Sequence, residues 1–272
     1  MHSYLSEHQK NAVEALKCLK KTCDMYGIKF YLLAGSTLGA IRHQGMIPWD
    51  DDIDVGLLHD DWYKLRSILS DALKDTKFTY IDDINDKWYP RLFGKITYDG
   101  HACVDLFLIA KWTSNKFQGI LHWQIRRFAV TLYQYSVNYS YDPKEISKNM
   151  SSKRKIKFYI GYTLRRAFYI FSQLFLGRED YIKIARWNEK FFEGKNTGWY
   201  INLYSIYNFE KEMIKADWIE NASYVKYEGD SYLTVGDTDA YLTHLYGDYM
   251  TPPPISQRAG NHNRDLFKKG QD

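Results

Sequence analysis

The segment GMIPWDDDIDVG, residues 45–56, constrains the fold more than any other part of the sequence, because it places four carboxylates within five positions. Like charges this close repel one another and resist burial. The acidic residues are nevertheless preceded by the apolar run 47–49 and interleaved with apolar side chains. Alternation over 52–58 predicts a β-strand with Asp52 and Asp54 on one face. Such a strand is stable only if something offsets the repulsion.

Three explanations of this acidic segment compete. A solvated acidic turn is the simplest, but the interleaved apolar residues argue against it. A calcium loop would open with Asp50, Asp52 and Asp54, yet Val55 stands where that loop needs Gly, and Asp61 stands where it needs Glu. The third explanation is a catalytic metal site for phosphate chemistry. Carboxylates at i and i+2 of a strand point the same way, about 6.5–7 Å apart, and can meet on one Mg²⁺ or bracket two.

A third carboxylate and an anion-binding turn are expected close to this strand. Asp105 is the lone acid of the apolar run ACVDLFLI, 102–109. A buried carboxylate is costly by itself, but a neighbouring divalent cation reverses that cost. Gly35 and Ser36 end a strand-like run and open a short helix, whose first N–H groups can hold a phosphate. The sequence therefore predicts a Mg²⁺ site, with Mn²⁺ as the alternative ion, beside a phosphate site.

The first 110 residues read as helix, strand, helix, strand, helix and then strands. Helices are predicted over 6–26 (with Ser6 as N-cap and Gly27 as the stop), 36–45 (with Ser36 as N-cap) and 59–75. Strands are predicted over 29–35, 53–58, 77–81, 91–98 and 102–109, with a hairpin at Asp99-Gly100. This order predicts a small mixed sheet with helices on one face. It contains no G-x-G-x-x-G motif and no P-loop.

The character of the chain changes after residue 110. Residues 111–180 hold 13 Lys/Arg and 4 Asp/Glu, a charge of +9, so the remainder carries −5 of the net +4. Aromatic, basic, helix-like runs lie at 121–139 and 154–177. They are explained by a helical core with a basic rim, by a peripheral membrane surface, or by a glycan-binding surface. A nucleic-acid surface would want more cations and fewer aliphatic residues, so no nucleic-acid partner is expected.

These patterns predict three regions: a catalytic core over 1–110, a basic aromatic helical region over 111–200, and a C-terminal part over 201–272 that returns to the core. No run of 18 apolar residues exists, so no membrane-spanning helix is expected. The N-terminus lacks the apolar core of a signal peptide, and the three cysteines fit no zinc pattern. We expect a cytoplasmic protein, with peripheral contact at the inner face of the plasma membrane as a further expectation.

The residues GSTLGAIRHQGMIPWDDDIDVGL, 35–57, resemble the signature of the LicD family, a branch of the nucleotidyltransferase (polymerase-β-like) superfamily that includes the fukutin-type proteins. CVDLFLI, 103–109, sits where that family has its third acid, and the tail 241–254 resembles its C-terminal motif. The resemblance covers 30–109 and 225–262. It implies an α/β (α+β) fold: a nucleotidyltransferase mixed sheet with helices on one face, a helical insertion and a helical C-terminal part.

The resemblance implies a Mg²⁺-dependent phosphotransferase. Such an enzyme would move a phospho-alcohol, phosphocholine first and otherwise ribitol or glycerol phosphate, from a CDP-linked donor to a hydroxyl of a cell-surface glycan. Teichoic acid, capsule, lipopolysaccharide or a lipid-linked precursor would be the acceptor. By motif match, Asp52 and Asp54 would be metal ligands and Asp105 a ligand or the general base. Gly35 and Ser36 would hold the donor diphosphate.

Further candidates surround these residues. Arg42 and Lys95 are candidate phosphate clamps, with surface salt bridges as the alternative explanation. Tyr246, Asp248 and His262 are candidate substrate contacts in the tail, where closing the fold is an equally good role. Nucleotidyl transfer, which makes an NDP-linked product, is the rival reaction. A D-x-D glycosyltransferase and a catalytically dead glycan-binding scaffold are further alternatives.

Overall fold

A computed structural model of the chain describes residues 5–137, 147, 150–205 and 207–258 of the 272. Its first element is the helix α1 (Glu7–Tyr26), which begins and ends as the sequence predicts. Ser6 caps the first turn, and Gln9 completes a capping box with it. Gly27 ends the helix in the left-handed conformation at φ 62°.

The remaining elements alternate helices and strands through the core and then add a helical region and a second set of strands. In chain order they are β1 (Tyr31–Leu32), α2 (Ala34–His43), β2 (Ile53–Leu58), α3 (His59–Leu73), β3 (Thr79–Ile81), β4 (Gly94–Tyr98), β5 (His101–Trp112), α4 (Lys116–Ser136), α5 (Ser152–Ser172), α6 (Arg178–Lys190), β6 (Trp199–Asn202), α7 (Phe209–Glu212), β7 (Met213–Lys215), α8 (Ala216–Glu220), β8 (Ser223–Tyr227), β9 (Asp230–Thr234), α9 (Thr238–Tyr246) and a 3₁₀ turn (Ile255–Gln257).

All nine strands of the described chain join one mixed sheet, which is larger than the small sheet predicted. Its main order is β3-β4-β5-β2-β1-β9-β8, and β6 pairs with both β5 and β7. The β2–β5 and β1–β9 pairs are parallel, and the other pairs are antiparallel. The mixed α/β architecture is confirmed, while the nucleotidyltransferase topology and the three domain boundaries remain predictions.

Alternation along the strands divides the core between two faces of the sheet. Ile53, Val55 and Leu57 of β2 pack in the larger hydrophobic cluster, together with apolar residues of α1 and α3. Tyr31 and Leu33 point the other way, into a second cluster with side chains of α2, α8 and α9. Helices therefore cover one face as predicted, but they also pack against part of the opposite face. Asp54, the carboxylate of β2, lies on this second face.

The segment between β1 and α2 differs most from its prediction. The strand comprises only Tyr31–Leu32, and the helix begins at Ala34 instead of Ser36. The N–H groups of Ser36 and Thr37 both donate to the carbonyl of Leu33, at 2.9 and 3.2 Å, which starts the helix two residues early. Ser36 was predicted as the N-cap because of its residue type. Its hydroxyl instead accepts a hydrogen bond from the backbone N–H of Asp54 in strand β2.

The basic aromatic region forms three helices with very different burial. One side of α4 is buried, including Trp123, Ala129, Leu132 and Tyr133, and α6 also contributes to the core. By contrast, Ser172 is the single buried residue of α5. The described helices include none that is long and apolar enough to cross a membrane. Helix α5 therefore exposes much apolar surface.

Gly56, in the middle of β2, has no space for a side chain. A Cβ there would lie 2.4 Å from Leu33 Cδ1 and 2.7 Å from two atoms of Ile109. We expect Gly56→Ala to lower the free energy of unfolding by about 1–3 kcal/mol through overpacking, as measured by chemical denaturation. Gly161→Ala is the matched control, because a Cβ in exposed α5 meets only the end of Arg165 at 3.4 Å or more. A Gly56→Ala protein as stable as the wild type would contradict this packing.

Candidate active site

A cleft of about 590 Å³ opens on the second face of the sheet, beside α2. It is lined by most of the residues predicted from the sequence, namely Gly35, Arg42, Asp52, Asp54, Lys95, Asp105, Tyr246 and Asp248. Ser36 lies beneath the lining, and His262 lies outside the described residues. The structure therefore gathers the candidates from the N-terminal core and from the tail around one cavity.

Three carboxylates converge at the floor of this cleft. Asp54 and Asp105 are direct partners in the parallel β2–β5 pairing, and both point to the second face. Asp52 precedes β2 by one residue. One carboxylate oxygen from each of Asp52, Asp54 and Asp105 lies within 4.8 Å of the other two. This is a spacing at which three hard oxygen ligands can share a divalent cation.

The electrostatics of these carboxylates show how costly the arrangement is without a cation. Burial raises the pKa of Asp54 well above its usual value, and the negative charges of Asp52 and Asp105 raise it further. Lys95, the register partner of Asp105 on β4, acts in the opposite direction. Its ammonium group lies 2.5 and 2.6 Å from the two carboxylate oxygens of Asp105. One ammonium group therefore balances part of the charge of three carboxylates.

Asp51 adds a second observation that suits a metal. Both of its carboxylate oxygens are buried and have no hydrogen-bond partner within the described part of the chain. Asp50, Asp51 and Asp52 also form a group whose ligand atoms lie within 4.8 Å of one another. Carboxylate oxygens are the ligands that Mg²⁺ and Mn²⁺ prefer. The residues present therefore fit a hard divalent cation. A calcium loop of the kind considered above is excluded, because Val55 lies in β2.

Helix α1 fixes the backbone of the acidic segment. The side-chain amide of Gln9 donates to the carbonyls of Ile47 and Asp50, at 3.2 and 2.9 Å. His8 Nε2 lies 2.6 Å from the carbonyl oxygen of Asp51. Because the capping box fixes the first turn of α1, these two side chains have a rigid base. The loop that carries the carboxylates is therefore held in one conformation.

The start of α2 approaches the same carboxylates. Ala34 has a φ of 43°, a left-handed conformation that is strained for Ala, and its N–H donates to the Tyr241 hydroxyl at 3.1 Å. A Cβ on Gly35 would lie 3.1 Å from Asp50 Oδ2, closer than an ordinary contact, so the Asp50 side chain would have to shift slightly to admit it. The Gly35 N–H has no hydrogen-bond partner among the described residues. Gly35 lines the cleft, and phosphate binding by its N–H stays a prediction.

Ser36 has contacts different from those predicted. Its hydroxyl accepts a hydrogen bond from the backbone N–H of Asp54 at 2.8 Å and also contacts the Tyr227 hydroxyl. The side chain is buried and does not line the cleft. Ser36 therefore fixes the strand position of Asp54, and a direct contact with phosphate stays a prediction.

A cluster of cationic and aromatic side chains surrounds Trp49 on one side of the cleft. The guanidinium carbons of Arg42 and Arg258 lie 5.8 and 4.7 Å from the centre of the Trp49 ring. His43 packs edge-on against the same ring, with ring centres 5.9 Å apart. Arg42 also donates to the Tyr249 carbonyl at 2.6 Å. Arg42 is thus tied to the tail and is not a solvated surface cation.

Residues of the tail also line the cleft. Tyr246 hydrogen-bonds with Tyr207, and both line the cleft. Asp248 is exposed, and hydrogen bonds from the Thr251 side chain and from the Thr251 N–H, the latter at 3.3 Å, lower the pKa of this carboxyl. These contacts suit the structural role considered for the tail. Both residues still face the cavity, so substrate contact stays open as a prediction.

Several cleft residues gave no signal in the sequence. Arg91, His101, Asn202, Tyr204 and Ser205 line the cavity, but they belong to no motif that could be read from a single sequence. The β5–β6 pairing brings 202–205 to the cleft from about a hundred residues away. Asp50 and Asp51 also line the cavity, and their place in the acidic segment 50–54 is a signal for them in the sequence.

The comparisons with known proteins agree with this geometry. Residues 27–133 match the family model described as the LicD/FKTN/FKRP nucleotidyltransferase domain. The matched segment contains the three converging carboxylates, α2 and Lys95. The chain therefore carries a LicD-family domain, and the family resemblance seen in residues 35–57 is confirmed.

Three relatives align with different fractions of this chain. The lipopolysaccharide cholinephosphotransferase LicD of Haemophilus influenzae is 23% identical over 275 residues, an alignment that covers 97% of each protein. An uncharacterized protein of Rickettsia prowazekii is 32% identical over 40% of this chain and 37% of its own length. The human ribitol 5-phosphate transferase FKRP is 35% identical over 66 residues, 22% of this chain and 13% of FKRP. The named relatives are both transferases of a phospho-alcohol.

Glu212, behind the cleft wall, is a buried acid whose charge is poorly compensated. Ser205, which lines the cleft, donates a hydrogen bond to its carboxylate. Burial raises the pKa of Glu212 to about 7, although that hydrogen bond and the charge of Arg126 act in the opposite direction. Deprotonation at neutral pH therefore places a negative charge in a largely desolvated position.

We expect Glu212→Gln to become more stabilising, relative to the wild type, as the pH rises. The folded wild type binds the proton more tightly than the unfolded chain, so wild-type stability falls between about pH 4.5 and about pH 7. The variant has no carboxyl to titrate at this position, so its free energy of unfolding relative to the wild type should rise by up to about 3 kcal/mol between these two pH values. Denaturant titrations of both proteins between about pH 4.5 and about pH 7 measure this difference, and Glu220→Gln, at an exposed position, is the control. A difference that does not change with pH would contradict it.

Proposed function

We propose that this protein is a Mg²⁺-dependent phosphotransferase that moves a phospho-alcohol from a CDP-linked donor to a hydroxyl of a cell-surface glycan. The observation that carries the proposal is the convergence of Asp52, Asp54 and Asp105 within 4.8 Å at the floor of a cleft. The LicD-family domain over 27–133 contains all three. Phosphocholine is the first choice of phospho-alcohol, because the relative that aligns over the whole chain is a cholinephosphotransferase. Ribitol and glycerol phosphate are the alternatives.

The cleft suits a nucleotide donor in size and lining. Its volume of about 590 Å³ lies within the usual range for small-molecule sites. Trp49, Tyr204 and Tyr207 offer aromatic surfaces, and Arg42 and Arg91 offer positive charge. A diphosphate placed near Gly35 would also lie near Asp50, and these groups repel unless a cation stands between them. Donor binding and metal binding are therefore expected to depend on each other.

Asp52 and Asp54 would hold the metal, with Asp105 as a further ligand or as the general base. A bound Mg²⁺ would neutralise charge on the donor diphosphate and on the departing nucleotide. Lys95 keeps the Asp105 carboxylate oriented through two short contacts. Each carboxylate oxygen can accept more than one ligand, so this ion pair leaves Asp105 able to act on a second partner. Arg42 is the proposed phosphate clamp on the side of the tail.

The reaction itself is a substitution at the phosphorus that carries the alcohol. The oxygen of the acceptor hydroxyl forms a bond to that phosphorus while the bond to the bridging oxygen of the diphosphate breaks. CMP leaves with the bridging oxygen and its electron pair, and the glycan gains a phosphodiester. The hydroxyl proton passes to a base, for which Asp105 is our candidate because it is the carboxylate fixed on β5 beside the metal ligands. Lipopolysaccharide is the acceptor class named for the H. influenzae relative.

Incubation with CDP-choline, CDP-ribitol and CDP-glycerol in turn, with lipopolysaccharide or teichoic acid as acceptor, tests the proposal. We expect release of CMP from one donor and incorporation of its phospho-alcohol into the glycan, and loss of both on chelation of divalent ions. Release of pyrophosphate from CTP and a phospho-alcohol would instead identify nucleotidyl transfer. Glycan binding without turnover of any donor would favour the scaffold role.

We expect Asp52→Asn to reduce CMP release by about a thousandfold, since removing one group that supports the transition-state charge has effects of that order. Asp60→Asn is the matched control, because Asp60 is a fully exposed carboxylate on α3 outside the cleft. Circular dichroism should show both variants folded. An Asp52→Asn protein with wild-type turnover would exclude the carboxylate cluster from the chemistry.

A further inference from the structure

Helix α5 exposes an apolar stripe that the fold leaves uncovered. Five apolar side chains at spacings of 4, 4, 7 and 4 residues project from one side of the helix. Each is between 57% and 74% exposed. They are Ile156, Ile160, Leu164, Phe171 and Phe175. Phe175 stands in the turn just after the helix. The stripe faces away from α4, because Tyr162 and Tyr169 on the other side pack against Tyr135 of α4. The stripe is not part of the protein core.

The stripe continues onto α4. Phe168 of α5 contacts Phe128 of α4, with ring centres 5.0 Å apart, and both rings remain exposed. Phe117, Ile120 and Leu121 extend the exposed side of α4 toward its N-terminus. The opposite side of α4 is buried in the main core. A rigidly anchored helix thus supports one edge of the exposed apolar surface.

The charge around the stripe has one sign. Residues 151–176 contain six Lys/Arg and no Asp/Glu. The cations are Lys153, Arg154, Lys155, Lys157, Arg165 and Arg166, and none of them forms an ion pair with another described residue. In projection down the helix, Arg154, Lys155, Arg165 and Arg166 lie on the other sides, whereas Lys153 lies within the apolar stripe at its N-terminal end and Lys157 lies at its border. Long basic side chains in this position can reach anionic groups while the apolar side chains are buried.

We propose that α5 and the exposed side of α4 form a docking surface for an anionic phospholipid bilayer, on which α5 lies parallel to the membrane plane. The apolar stripe would enter the boundary between headgroups and acyl chains, Lys153 and Lys157 would contact lipid phosphates, and the remaining cations would add to the attraction toward an anionic surface. A protein partner would need an acidic rim around a matching apolar groove, whereas an anionic bilayer supplies both properties over any area.

The surface is linked to the cleft through α4. Arg126, on the buried side of α4, lies over the ring of Tyr204 at 5.9 Å, and Tyr204 lines the cleft. Membrane docking would therefore hold the wall of the cleft at a fixed relation to the bilayer. The inference concerns binding and does not depend on the chemistry of the proposed reaction.

Co-sedimentation of the full chain with vesicles tests the surface. We expect binding to phosphatidylcholine vesicles that contain about one-third phosphatidylglycerol, at least about tenfold weaker binding to phosphatidylcholine alone, and weaker binding at about 0.5 M than at about 0.1 M NaCl. Leu164→Glu with Phe171→Glu should abolish binding, and Lys153→Glu with Lys157→Glu should weaken it about tenfold or more. Met25→Glu with Tyr224→Glu is the matched control, since those side chains are equally exposed but lie outside α4 and α5.

Two outcomes would overturn the inference. One is equal binding of the wild type and the Leu164/Phe171 variant to anionic vesicles. The other is a wild type that does not bind vesicles but forms a dimer in solution, while the Leu164/Phe171 variant is a monomer. The second result would assign the surface to a second copy of the chain. Circular dichroism and CMP release of each variant, measured without lipid, separate loss of docking from loss of folding or of the proposed reaction.

Discussion

The parallel pairing of β2 with β5 is the constraint on which the rest of the site depends. It places Asp54 directly opposite Asp105, so two carboxylates face the same cleft from adjacent strands about 4.8 Å apart. Burial and mutual repulsion make this unfavourable in the absence of positive charge. Among the described residues, Lys95 on the strand next to Asp105 brings an ammonium group to this cluster. The remaining imbalance is the physical reason to expect a divalent cation.

The surrounding elements can be understood as supports for that pairing. Gln9 and His8 of α1 hold the backbone ahead of β2, and Ser36 of α2 holds the N–H of Asp54 itself. Gly56 allows Leu33 and Ile109 to close over the strand on the same face. Each contact restricts where a carboxylate can move when its neighbours repel it. The site is therefore preorganised by supporting groups, of which Gln9, Ser36 and Gly56 lie outside the cleft lining and His8 is part of it.

Much of this site could be predicted because it is encoded locally. The alternation of Asp52 and Asp54 with Ile53 and Val55 requires a strand with one acidic face, and Asp105 stands out as the lone acid of an apolar run. The start of α2 was misplaced because Ser36 resembles an N-cap in isolation, while its partner, the N–H of Asp54, is 18 residues away. Long-range pairings such as β5 with β6 leave no local signal, so Asn202 and Tyr204 could not be placed beside the carboxylates.

In the basic aromatic region, the sequence predicted the helices but not which of them are buried. Composition predicted helices there, and helices α4, α5 and α6 form, but the sequence alone could not distinguish a core from an exposed surface. The structure distinguishes them by burial: α4 turns Trp123 and Tyr133 inward, whereas α5 keeps a single residue buried. A helix with so little packing gains little from the fold, and its exposed apolar side chains carry a cost in water. Retaining such a helix is physically reasonable when a second phase covers it, and its uniform positive charge indicates that this phase is anionic.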